Sequence, residues 1–137
     1  MRSPIYNRVK VARALNVTAV SANGNSDGAT ISLDQSGMDC RSVTFVVAVG
    51  ARTDGTYTAV PQESPDGSAW TNVPAARLIG SGAVSAAQGV AEVGVIPDPV
   101  NYPSVRLRVT ATVVTTGASV EGFALLGEPC NYPIVRP

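Results

Sequence analysis

RLRVTATVV, residues 106–114, sets Leu107, Val109, Ala111 and Val113 at alternate positions, with Arg106, Arg108, Thr110 and Thr112 between them. Successive side chains of a β-strand point to opposite faces, so a repeat of two marks a strand with one face in a core and one toward water. The same period recurs in ATISL (29–33), where Ile31 and Leu33 fall on the inward side. SVTFVVAV (42–49) is apolar almost throughout and rich in β-branched residues. That is the pattern of a central strand covered on both faces. Further strands are expected over 55–63, 68–73, 89–96 and 119–127, and an N-terminal one over 15–20. The total is about eight.

NGNSDG, RTDG, ESPDG, IGSG, IPDP and TTG separate these runs. Gly, Pro, Asn and Asp supply the backbone angles that turns demand. Thirteen Gly and ten Pro are too many for a helical chain of 137 residues, and no segment carries a sustained helical stripe. VARALNV (11–17) comes nearest and allows one or two helical turns. The expectation is an all-β chain folded as a single antiparallel β-sandwich of jelly-roll or immunoglobulin-like topology. RLIGSGAVSAAQG (77–89) is patternless and is the longest candidate loop. Residues 1–14 are expected to form a basic arm, 15–127 the sandwich, and 128–137 an extended tail rich in proline, which cannot donate to a sheet ladder.

Length and charge narrow the functional classes. A chain of this size buries roughly two-thirds of its unfolded surface and needs no metal or disulfide to fold. Its formal net charge is zero, which argues against a general nucleic-acid binder. Only 15% of residues are charged, below the roughly 25% usual in soluble domains. A neutral surface with few charges favours association. Residues 1–26 hold Arg2, Arg8, Lys10 and Arg13 and no acid, whereas the acidic residues all lie from Asp27 onward. Such a basic segment suits docking on an acidic neighbour, a second copy included. The N-terminus lacks the apolar run of a secretion signal, and no stretch approaches the length of a membrane helix. The expected product is cytoplasmic, with no membrane partner. Cys40 and Cys130 lie in no metal or redox spacing and are expected to stay reduced.

The chain has no histidine. Ser-His-Asp and Cys-His catalysis, and histidine metal sites, are therefore absent. Asp27, Asp54 and Asp66 stand beside glycine in expected turns, where Asp bonds its own backbone. No pair of carboxylates is nominated for glycoside chemistry, no glycine-rich piece matches a phosphate loop, and no calcium loop is complete. The expectation is a protein that is not an enzyme, with no cofactor and no metal.

QESPDGSAWTNV (62–73) holds the only tryptophan. Asp66 and Gly67 fit a tight reversal, with Gly67 at positive φ. Trp70 on the second arm then has three roles open to it. It closes one end of the core, the default for a lone indole; it anchors an interface; or, with Tyr57, it binds a small ligand such as a sugar.

SPDGSAW resembles the S-x-D-G-x-x-W hairpin of discoidin-like, galactose-binding jelly rolls. The longer run TFVVAVGARTDGTYTAVPQESPDGSAWTNVPAARLIG, followed by VRLRVTATVVTTGASVEGFALLGEP, resembles head decoration, or cement, proteins of tailed bacteriophages. The resemblance spans roughly residues 43–127 and leaves the N-terminal segment unmatched. It implies a jelly-roll-like sandwich that binds the outside of an icosahedral capsid in many copies. Such a protein bridges major capsid subunits and associates with itself as a dimer or trimer. Arg2, Arg8, Lys10 and Arg13 are the expected capsid contacts, and Asp66, Gly67 and Trp70 the structural hairpin. A neck or tail position in the virion, and a carbohydrate-binding module, are the alternatives.

Overall fold

The computed structural model describes Ile5, residues 8–35 and residues 38–129. Its strands are β1 (Val9–Val20), β2 (Gly24–Asp27), β3 (Ile31–Ser32), β4 (Asp34–Gln35), β5 (Met38–Val49), β6 (Thr56–Ser64), β7 (Thr71–Asn72), β8 (Leu78–Ile79), β9 (Val90–Val95), β10 (Ser104–Thr112) and β11 (Ala118–Pro129). One sheet runs β1-β11-β5-β9-β8, with β4 appended to β5; the other runs β2-β10-β6-β7, with β3 appended to β10. Every pairing is antiparallel.

Eight principal strands, β1, β2, β5, β6, β7, β9, β10 and β11, follow a simple order. The first pairs with the last (β1 with β11), the second with the next to last (β2 with β10), the third with the sixth (β5 with β9), and the fourth with the fifth (β6 with β7). The chain is thus one long hairpin wrapped into two layers, with β11 also pairing β5 and β10 also pairing β6. This is the jelly roll of the two topologies considered, an all-β sandwich as the periodicity predicts.

The core lies between the sheets and is filled by alternate residues. β10 contributes Val105, Leu107, Val109 and Ala111; β5 contributes Val43, Phe45, Val47 and Val49; β6 contributes Tyr57 and Ala59; β9 contributes Ala91, Val93 and Val95; β11 contributes Val120, Ala124 and Leu126. Leu107 reaches across to the facing sheet. A Cβ built on Gly122 of β11 would overlap Leu107 Cδ2, so the absent side chain of Gly122 makes room for the leucine. Gly117 is required for a different reason. It opens β11 at φ +91, and a Cβ there would collide with the carbonyl oxygen of Val20.

Four local expectations need correction. VARALNV is strand, not helix, and β1 begins at Val9, so residues 9–14 belong to the sandwich rather than to an arm. Ala12 packs on the core and Ala14 and Leu15 are buried in it, which is what draws this segment onto β11. NGNSDG contains a strand, β2, paired with β10 through Asp27, Ser26, Asn25 and Gly24. The segment 77–89 is pinned rather than loose: β8 pairs with β9, Ala83 bridges Thr58, and Val84 is buried in the core. SAWTNV contributes only the two residues of β7. Arg2 and residues 130–137, which include Cys130 and most of the expected tail, lie outside the described residues.

Leu107→Ala leaves a void where both layers meet, and the expected loss of stability is about 2–5 kcal/mol, read from urea unfolding.

Candidate interaction surface

The hairpin at the far end of the wrapped chain is built by Asp66. Its Oδ1 accepts the backbone N–H groups of Ser68 at 2.8 Å and Ala69 at 2.9 Å, and the Ser64 hydroxyl at 3.0 Å. Gly67 adopts φ +77, and its N–H donates to Ser64 Oγ at 2.8 Å. These backbone donors stabilise the charged carboxylate and hold Asp66 below its ordinary pKa. Asp66 and Gly67 thus build this turn.

Trp70 is not a core residue. It is half-exposed on the outer face of the β2-β10-β6-β7 sheet, with its ring 4.5 Å from the guanidinium carbon of Arg106. Six residues separate β6 from β7, and the excursion carries the indole past the edge of the sandwich onto its outside. Arg106 lies between that ring and polar partners: its Nε donates to Gln62 Oε1 at 2.8 Å, and its Nη2 stands 3.3 Å from Asp27. Arg108 grips the same carboxylate, Nε at 2.5 Å and Nη2 at 3.0 Å. The hydrogen bond from Arg108 is the main cause of a lowered Asp27 pKa. Thr110 bonds Asn25, Gln62 bonds Asn72, and Arg77 pairs with Glu63. This outer face is a polar mosaic whose groups satisfy one another. Tyr57, the other half of the expected sugar site, is fully buried and points to the opposite side of the sheet from Trp70.

Asp54 departs from expectation differently. It does not bond its own turn; its carboxylate accepts the N–H groups of Thr115 (3.1 Å), Thr116 (2.9 Å) and Gly117 (2.8 Å), tying two loops that lie far apart in sequence. Those backbone bonds lower its pKa. Tyr57 Oη donates to the Asp54 carbonyl at 3.0 Å and so anchors this loop to the core.

The other outer face is unlike the first. Across β1-β11-β5-β9 one row reads Arg13, Phe123, Val46, Glu92; the next reads Val11, Leu125, Thr44, Gly94, with Ile79 of β8 beyond. Val11, Ile79 and Val90 are exposed. The side chains of Thr44, Val46, Ala48, Phe123 and Leu125 are half-buried only by their neighbours in the sheet. A shallow groove of about 480 Å³ lies between Ile5, Val9, Val11, Leu125 and Thr44, and a second depression lies between Thr44, Ile79, Glu92 and Gly94. β5 is therefore covered on one face only, although its sequence suggests cover on both. The apolar outward positions of β5 and β11 are the signal for an uncovered face, but burial and exposure for docking leave the same mark on composition.

Among the described residues, Lys10 and Arg13 fall on opposite faces of β1. Arg13 stands on this apolar face, 3.4 Å from Glu121 and 4.8 Å from the centre of the Phe123 ring. Lys10, two positions past Arg8, is half-buried in β1. No cluster of three Cys, Asp or Glu able to hold a metal occurs among the described residues. The chain matches no family model, no curated protein and no solved structure.

Trp70→Ala is expected to fold, losing about 0.5–2 kcal/mol for the lost contact with Arg106. A core tryptophan would cost about 3–5 kcal/mol, so urea unfolding separates the two placements. Asp54→Ala is expected to lower the melting temperature at neutral pH. A lowered carboxylate pKa stabilises the fold above the unfolded value near 4 and loses that contribution as pH falls through the folded value. The difference in melting temperature between wild type and variant should therefore narrow as pH drops from about 5 toward 2.

Proposed function

We propose that the protein is a structural component of a bacteriophage virion, bound in many copies to the outer surface of the capsid, where it bridges major capsid subunits. The observation that carries this reading is the asymmetry of the two outer faces. One is a closed polar mosaic; the other is an apolar sheet face with two depressions, the mark of a surface made to be covered. The strand-and-turn pattern over residues 43–127 narrows the setting to head decoration proteins. The same pattern falls on β5 through β11 and leaves β1 through β4 of the sandwich unmatched.

In this reading the sandwich is a rigid block, and its contribution is contact rather than catalysis. Each copy adds little alone, and repetition over a closed shell multiplies the effect, because a subunit held at one contact meets its next at high effective concentration. Arg2, Arg8 and Lys10 are the proposed contacts to the major capsid protein. Trp70 and Tyr57 do not share one site: Trp70 rests on Arg106, and Tyr57 is inside.

Quantitative mass spectrometry of purified virions tests the proposal. The expected result is hundreds of copies per particle; about a dozen would place the protein at the neck or tail, and none would remove it from the virion altogether. Purified protein added to undecorated shells should bind in a salt-sensitive way, and Arg8→Ser with Lys10→Ser should weaken that binding.

A further inference from the structure

The apolar outer face has a pattern that points to its occupant. The row Arg13, Phe123, Val46, Glu92 crosses four adjacent strands, and its partners are in register: Arg13 opposite Phe123, Phe123 opposite Val46, Val46 opposite Glu92. It is cationic at one end, apolar through the middle and anionic at the other. Glu92 is exposed and makes no ion pair among the described residues.

A row of this kind is complementary to itself. Take a two-fold axis lying in the plane of contact and running along the strands between β11 and β5. It exchanges β1 with β9 and β11 with β5. Arg13 of one copy then faces Glu92 of the other, and Glu92 faces Arg13, while Phe123 lies over Val46. The next row obeys the same operation: Val11, 59% exposed, meets Gly94, which has no side chain, in the depression beside Ile79. Projection meets hollow where charge meets opposite charge. An unrelated partner would need no such symmetry about the midline of the sheet, whereas an isologous contact requires it. Sheets packed face to face keep their strands nearly aligned, so rows stay opposite rows.

We infer that the protein forms a two-fold homodimer through the outer faces of its β1-β11-β5-β9-β8 sheets, with Arg13–Glu92 pairs across the interface on both sides of an apolar centre. The Arg13–Glu121 pair within one chain does not compete strongly, because it is long, at 3.4 Å, and half-exposed. The inference assigns the surface used for self-association in the proposed virion role, yet it needs no capsid. A dimer that fails to bind shells would leave it standing, and a monomer that binds shells would remove it alone.

Charge reversal in the full chain tests it. Arg13→Glu sets a second carboxylate against Glu92 at both contacts of a dimer, and Glu92→Arg sets two guanidinium groups together at both. Each variant alone is expected to dissociate, with a dimer dissociation constant raised on the order of tenfold or more. Mixing the two variants sets opposite charges against each other at both contacts of a heterodimer, so an equimolar mixture is expected to dimerise although neither variant does so alone. Arg13→Glu combined with Glu92→Arg in one chain restores opposite charges at both contacts, and this double variant should dimerise again as wild type does. Sedimentation equilibrium reads the masses, and unchanged circular dichroism and melting temperature confirm that each variant is folded. A wild-type monomer at all concentrations, a wild-type trimer, single variants that dimerise as wild type does, or a double variant that stays monomeric would each overturn the inference. So would a full chain that is monomeric and dimerises only after residues 130–137 are removed, since that segment would then be the occupant of the face.

Discussion

The contact between Leu107 and Gly122 governs the rest of the molecule. Leu107 is fully buried at the middle of β10, and it crosses the sandwich to the place where a side chain on Gly122 would stand. β10 and β11 are consecutive strands in opposite layers, and each pairs with two principal partners in its own sheet. Fixing one against the other therefore fixes both sheets. A slip of one residue in either strand would exchange its two faces. It would bring Arg106 and Arg108 inside and turn Leu107 out. The register that seats Leu107 is thus also the register that aims Phe123 and Leu125 outward and lines up Arg13, Val46 and Glu92 across the sheet.

The two outer faces that result solve the same problem in different ways. Where β10, β6 and β2 face outward, the charged groups find their partners within the sheet. Asp27 is held by two arginines, and Arg106 is capped by Trp70. Such a face has satisfied its hydrogen bonds and gains little from a partner. Where β11 and β5 face outward, Phe123, Leu125, Val46 and Ala48 present apolar surface, for which water is the alternative to a partner. With few charges elsewhere to keep copies apart, the energetic bias toward covering this face is strong.

The legible parts of the sequence are those governed by local alternation. β10 follows from Val105, Leu107 and Val109 alone, and β5, β9 and β11 from comparable runs. What local pattern hides depends on partners distant along the chain. GNSD has the composition of a turn and becomes a strand because Asp27 meets Arg108 and Asn25 meets Thr110, 81 and 85 positions away. Asp54 has the setting of a residue that serves its own turn, and it holds the loop at Thr115–Gly117 instead, 61 to 63 positions on. Trp70 has the composition of core because apolar area favours burial; a guanidinium on a strand of the same sheet offers an indole an alternative that composition does not announce. Val113 continues the apolar alternation of β10, yet it lies outside the strand at φ 57 with its side chain exposed. The turn into β11 overrides the pattern there.

Why association should use a face rather than an edge follows from the wrapped-hairpin order. A sheet edge recruits partners through its unpaired backbone groups, and natural sheets blunt their edges by shortening or bulging them. Here β7 and β8, which end the two sheets on one side, are two residues each. β1, which ends the larger sheet on the other side, breaks register between Arg13 and Leu15 and again between Leu15 and Thr18. Such shifts twist a strand away from regular pairing. The edges thus offer little length for a straight added strand, and a strand added there would extend the sheet without end. A face closes on itself after two copies when its pattern is its own complement. Arg13 and Glu92, set at equal distances from the midline between β11 and β5, give this face that property, and the fold places them there through the register that Leu107 enforces.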